Sequence, residues 1–235
     1  MSEQLTNDEI RAIILSTNED VRNHFLQYFS VEVNNFVSTL RCVYDRMQEM
    51  PARVRHDRRS AWSDEFLFTA FNSLLTSFHI LISGFSVPSG NLMRHYGEAV
   101  AMALLLSHRQ IGTFDLIDKD SQKFSVNKAL DLVRTKRNAR LLGINGPGWR
   151  KFEELTSFYD QYSHPSVFAV SSGHSFSSPG YRQIGGEFDT AKLDAYRKEI
   201  NLRISAGQRL WETVEVVEKH LMDSKPPNQT LQTER

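Results

Sequence analysis

The run from Gly90 to Ser107, GNLMRHYGEAVAMALLLS, constrains this chain more than any other. It is the most apolar stretch of the sequence, and a helix apolar on nearly every side is one buried on every side. The run therefore predicts the central helix of a bundle. Its first turns nevertheless carry Arg94, His95 and Glu98. Such a cluster is expected to face inward, toward the later run YDQYSHPS, Tyr159 to Ser166.

Helical periods surround this centre. Ile10, Ile13, Ile14, Val21, Phe25 and Phe29 give a broken period, read as one short helix and then another. Val33, Phe36, Val37, Leu40, Val43, Tyr44 and Met47 give the clearest amphipathic helix, ended by Pro51. Phe66 to Ile82 gives another, running to about Gly84, with Pro88-Ser89-Gly90 as a break before the central helix. A short helix is expected in FDLIDKD, then helices from Val126 to Leu142 and from Trp149 to Tyr162. VFAVSS and YRQIGGEF alternate as extended runs around the turn-rich SSGHSFSSPG, which predicts a small hairpin. One long helix, Asp189 to Leu221, closes the fold with Leu193, Tyr196, Ile200, Ile204, Leu210, Trp211, Val214, Val217 and Leu221 inward.

The expected fold is all-α: a single-domain bundle of about seven helices over residues 1–222, with a small β-hairpin before the long last helix. Residues 223–235, rich in Pro and Gln, are expected to be a disordered tail.

Charge excludes some functions. The 28 basic and 28 acidic side chains cancel, so the whole molecule gains no attraction to nucleic acid or anionic lipid. Two local basic clusters remain, one of Arg53, Arg55, Arg58 and Arg59, the other of Lys128, Arg134, Lys136, Arg137 and Arg140. They could grip an RNA backbone, with Trp62 or Trp149 to stack a base, but charged helix faces are more often plain solvated surface, so RNA is not the favoured partner. Cys42 is the only cysteine, which excludes an intrachain disulfide and a thiolate metal cluster. The histidines show no metal-ligand spacing, so no metal and no cofactor is expected. No secretory signal pattern opens the sequence, and the longest apolar run, Ala99 to Leu106, is far short of a membrane span of about 20 residues. The expected location is the cytoplasm, and the one partner the residues suggest is a second copy, held through apolar helix faces.

Arg94 and Glu98 are one turn apart on one helix face. The order is the less favourable one, with the cation nearer the helix start. Two readings follow: Arg94 as a clamp for a phosphate or carboxylate with Glu98 holding it, or a buried ion pair that fixes helix register. His164 stands beside Pro165 at the expected end of a helix, with Tyr159, Tyr162 and Ser163 around it. There it could serve as a general acid or base, or cap its own helix.

Three motifs together, LMRHYGEAVAMALLL, FYDQYSHPS and a hairpin ending IGGEFD ahead of a long helix, resemble a group of bacterial all-helical proteins of unknown function. Those proteins have been likened to the HEPN class of helical bundles, and the likeness runs in order over roughly Phe71 to Leu221. The resemblance implies a helical bundle and, for true HEPN ribonucleases, an Arg, a polar residue and a further His on one helix. Arg94 and His95 match the start of that pattern. The positions where the second His would fall hold Ala99, Val100 and Ala101, so a nuclease here requires His164 to supply the imidazole from another helix.

Because the set Arg94, Glu98 and His164 is incomplete for known chemistry, the first expectation is a non-enzymatic binding or scaffold protein. The alternative is a HEPN-like, metal-independent endoribonuclease with a toxin or defence role. In it Arg94, Glu98 and His164 are catalytic, and His95, Tyr159, Tyr162 and Ser163 bind substrate. Small-anion sensing at the same cluster is a third reading.

Overall fold

The structure is a computed structural model that describes residues 6–54, 57–114, 129–143, 147–162, 166–172, 174–178 and 184–223. Nine α-helices form among the described residues: α1 (Asn7–Leu15), α2 (Glu19–Glu49), α3 (Arg58–Ile82), α4 (Ser86–Ser107), α5 (Ala129–Arg134), α6 (Lys136–Leu141), α7 (Pro147–Asp160), α8 (Val167–Ser172) and α9 (Leu193–Met222). The all-α bundle predicted from the sequence is present.

Helix starts follow local chemistry. Thr6 and Glu9 form a capping box at α1, and Asp57 and Ser60 form one at α3. The two helices expected over 19–49 are one, bent where Phe29 leaves helical geometry at φ −134° and ψ 25°. The break expected at Pro88 to Gly90 is instead the first turn of α4. Proline is harmless there, because the first four N–H groups of a helix have no partner within it.

α3 and α4 form the central hairpin, and α9 crosses α2, α3 and α4. Most of α4 is buried, including every residue from Ala99 to Ser107. One continuous apolar core joins α2, α3, α4, α7 and α9, with Phe36 stacked on Phe78 at 3.9 Å between ring centres. By length and composition alone α3 could cross a membrane, with mean hydropathy 1.3 over its most apolar window, and 44% of that window lies buried in the bundle.

The hairpin is not present among the described residues. Its first expected strand, VFAVSS, is helix α8: the Ser166 hydroxyl accepts the Ala169 N–H at 3.0 Å and starts a helical turn despite the β-branched valines. The second run is described from Ile184 onward and forms no strand there. The helix expected over 126–142 is two, because Thr135 caps α6 through the Asn138 N–H while the Asn138 amide donates to the Leu132 carbonyl. FDLIDKD beyond Phe114 and the tail from 224 lie outside the described residues.

The IGGEFD motif anchors the start of α9. Gly84 turns at φ +89°, and a Cβ there would stand 2.3 Å from the Glu187 nitrogen, so the close approach requires glycine. Phe188 packs among His24, Phe25, Tyr28 and Tyr196. Asp189 accepts the backbone N–H groups of Phe176, Ser177 and Ala191. Burial alone would raise this carboxyl; those hydrogen bonds outweigh it and hold the group at about 2.

Candidate functional site

Arg94 and Glu98, on the third and fourth turns of α4, meet at 3.1 Å, and Asp160 at the end of α7 stands 3.6 Å from the same guanidinium. The pair is not the inward cluster expected: the Arg94 side chain is 30% exposed and Glu98 13%. Arg94 lies at the edge of the bundle because α4's deepest face there is taken by Met93, Tyr96 and Gly97. His95 turns the other way, its Nδ1 2.8 Å from the Ser73 hydroxyl, which itself donates to the Thr69 carbonyl. His164 and Ser163 lie outside the described residues.

Tyr159 and Tyr162 do not join Arg94. Both donate their hydroxyls to one carboxylate, that of Glu199 on α9, at 2.8 and 2.6 Å. Glu199 in turn holds Arg203 at 2.6 Å. The guanidinium of Arg203 is fully buried and also donates to Ser77 at 2.9 Å, to Tyr159 at 3.0 Å, to the Glu199 carbonyl at 3.0 Å and to Ser89. Ser77 and Ser89 then exchange hydrogen bonds with each other's carbonyls across the α3–α4 hairpin, each at 2.9 Å.

One network therefore ties α3, α4, α7 and α9 together. Its electrostatics match its closure. Burial, followed by the Glu199 charge, pushes the Tyr162 phenol far up, and burial does the same for Tyr159. Burial opposes the Arg203 charge, but its Tyr159 and Glu199 neighbours more than offset that and push it above the usual arginine value. Phenols held protonated and a guanidinium held charged make a fixed donor set with no group ready to exchange a proton near neutral pH.

The sequence held signals for this network that the reading of it did not use. Ser77 interrupts an apolar stripe, and Glu199-x-x-x-Arg203 is the favourable order for an ion pair one turn apart. Gly90 is the third signal: a Cβ there would lie 2.3 Å from the Tyr162 ring, so only glycine lets α7 end against α4.

The described α-helical members of the two basic clusters lie on α3, α5 and α6. Arg58 and Arg59 open α3 beside His108 and Arg109, whereas Lys136, Arg137 and Arg140 are exposed on α6, where Arg137 donates to the Gln110 carbonyl at 3.2 Å. Trp62 is exposed and stacks on Phe66. Among the described residues no three His, Cys, Asp or Glu side chains converge as a metal cluster would. Comparison with protein-family models, with curated proteins and with solved structures finds no match to this chain.

Proposed function

We propose that this chain is a binding or scaffold module without catalytic activity of its own, working in the reducing cytoplasm. The observation that carries the reading is the Glu199–Arg203 network. The two tyrosines expected to serve a site spend their hydroxyls on a buried carboxylate, and the guanidinium beside them spends its donors on four helices of the fold. Polar groups used this way fix the relative placement of helices, which suits a rigid surface for recognition. The exposed single cysteine, Cys42, is consistent with a compartment that keeps thiols reduced.

A second reading, a HEPN-like metal-independent endoribonuclease, is favoured by one contact. Asp160 reaches Arg94 at 3.6 Å, which brings the end of α7 beside Arg94, and His164 follows Asp160 by one turn's worth of sequence. Incubating a mixed RNA pool with the wild-type protein, Arg94→Ala and His164→Ala separates the two. The binding reading expects no cleavage by any of them. Cleavage by wild type that folded variants lack would establish the nuclease and refute the binding reading.

A further inference from the structure

We propose that the outer face of α3, with α2 beside it, is where two copies of this chain pair about a two-fold axis, α3 lying antiparallel on α3. The inference goes beyond the binding reading and does not depend on it.

α3 is more apolar than the bundle requires. Its most apolar window has mean hydropathy 1.3, yet 44% of that window is buried. Leu67, Ala70, Leu74 and Leu81 fill the buried side. The outer side carries Phe68 at 47% exposure and Leu75 at 44%, two turns apart in one row. α2 extends the surface. Phe36 stacks on Phe78, and Tyr44 meets Phe71 at 5.9 Å between ring centres, so α2 and α3 run antiparallel in a fixed register. That register sets Tyr44 across from Phe68 and Val37 across from Leu75, and both are exposed. Apolar surface gathered in this way marks an interaction site, whereas single scattered residues do not.

The polar groups along the row select a second copy as the occupant. Glu65 stands one turn before Phe68, Asn72 one turn after it, and His79 one turn after Leu75, all of them exposed. Beside His79 lies Arg22 of α2, its guanidinium 3.3 Å from the ring. Neither Glu65 nor Arg22 spends its charge in an ion pair among the described residues. The row is thus acidic at one end, basic at the other, and carries an amide at its midpoint. Turned through half a circle and laid on itself, it sets Glu65 against His79 and Arg22 of the second copy and Phe68 against Leu75. Asn72 then meets Asn72, and an amide both donates and accepts. A parallel pairing would set like charges together, which costs affinity. Arg41, on the flank, has Asp45 at 3.7 Å and adds no net charge. A surface complementary to itself under a two-fold rotation is what an isologous dimer requires.

Size sets the strength. From Glu65 to His79 the row spans about 21 Å, and α2 beside α3 gives the face a width of about 20 Å. That footprint approaches the roughly 1,000 Å² of total buried surface at which specific interfaces begin. The dimer is therefore expected to dissociate in the micromolar range.

The test is sedimentation velocity of the full-length protein at concentrations from about 1 to 300 μM. Phe68→Glu and Leu75→Glu change exposed side chains and should keep the fold, which circular dichroism melts check. Val167→Glu, on the exposed side of α8, is the control outside the face. Wild type should dimerise, each face variant should weaken the dimer at least about tenfold, and the control should leave it unchanged. Glu65→Arg and His79→Glu should each weaken it about fivefold, and the two together should return it to within about twofold of wild type. This swap replaces only exposed polar groups, so it decides the question even if an apolar-to-Glu variant melts early. Monomer throughout the range overturns the proposal, as does a dimer that both face variants keep. A double swap that stays weak overturns the antiparallel pairing, and a trimer or larger species overturns the two-fold axis.

Discussion

Glu199 and Arg203 lie one turn apart on α9 and meet at 2.6 Å inside the bundle, with the guanidinium fully buried and the carboxylate side chain 10% exposed. Arg94 and Glu98 repeat the same spacing on α4 in the reverse order, at 3.1 Å and at the bundle's edge. Spacing alone does not decide what such a pair does. The inner pair has Tyr159, Tyr162, Ser77 and Ser89 to complete its hydrogen bonds; the outer one has Asp160 and stands partly open to solvent.

Neutralising Glu199 should therefore be costly. Glu199→Gln keeps the shape but leaves the Arg203 charge uncompensated in the core, a loss of about 3–5 kcal/mol on removing one partner of a buried pair. Urea denaturation measures it, and a loss below about 1 kcal/mol would contradict a buried, charge-dependent network.

Arg94→Ala should do much less. A partly exposed pair is screened by solvent and contributes about 1 kcal/mol or less. The same denaturation experiment checks this, and a loss as large as that of Glu199→Gln would mean Arg94 is buried in solution.

Gly90→Ala should destabilise by about 1–3 kcal/mol, since the added methyl meets the Tyr162 ring at 2.3 Å and one helix must shift. The cost should shrink when Tyr162→Ala is already present. Equal costs in both backgrounds would place the strain elsewhere.

Acid should weaken the fold through His220. Burial, then the nearby His108, lowers its value from 6.5 to about 4, with Lys219 and Arg59 adding to the effect and Asp223 opposing it. The unfolded chain then binds this proton more readily, so stability is complete above about pH 6.5 and falls as pH drops toward about 4. Asp189, held at about 2, titrates below that window. Thermal melts of wild type and His220→Gln across the range should diverge in slope; parallel curves would contradict the assignment.

Much of the fold was legible because burial writes a period into sequence. Ala99 to Leu106 announced a central helix, and α2, α3 and α9 showed their inner stripes. The failures came from local chemistry. Two valines suggested a strand at 167–172, but the Ser166 cap made a helix, and Pro88 read as a break where it sits harmlessly in a first turn. On α9, Trp211 was placed inward with the aliphatic residues and is 36% exposed, while Arg203, about two turns earlier, is fully buried. For the site, Tyr159 and Tyr162 were expected to bind substrate around His164, but both are buried and give their hydroxyls to Glu199 on α9. A Glu and an Arg one turn apart usually mark solvated surface, and only three-dimensional packing reveals that four helices close over this pair.

The central claim is that the buried network is framework, and a double-mutant cycle on Glu199 and Arg203 tests it most directly. Glu199→Leu and Arg203→Met should each be strongly destabilising, by about 3–5 kcal/mol, because each strands the other's charge. Made together they should recover much of that loss, since no unpaired charge remains. Additivity of the two losses to within about 0.5 kcal/mol would contradict the account, for it would mean the two side chains do not depend on each other in the folded protein.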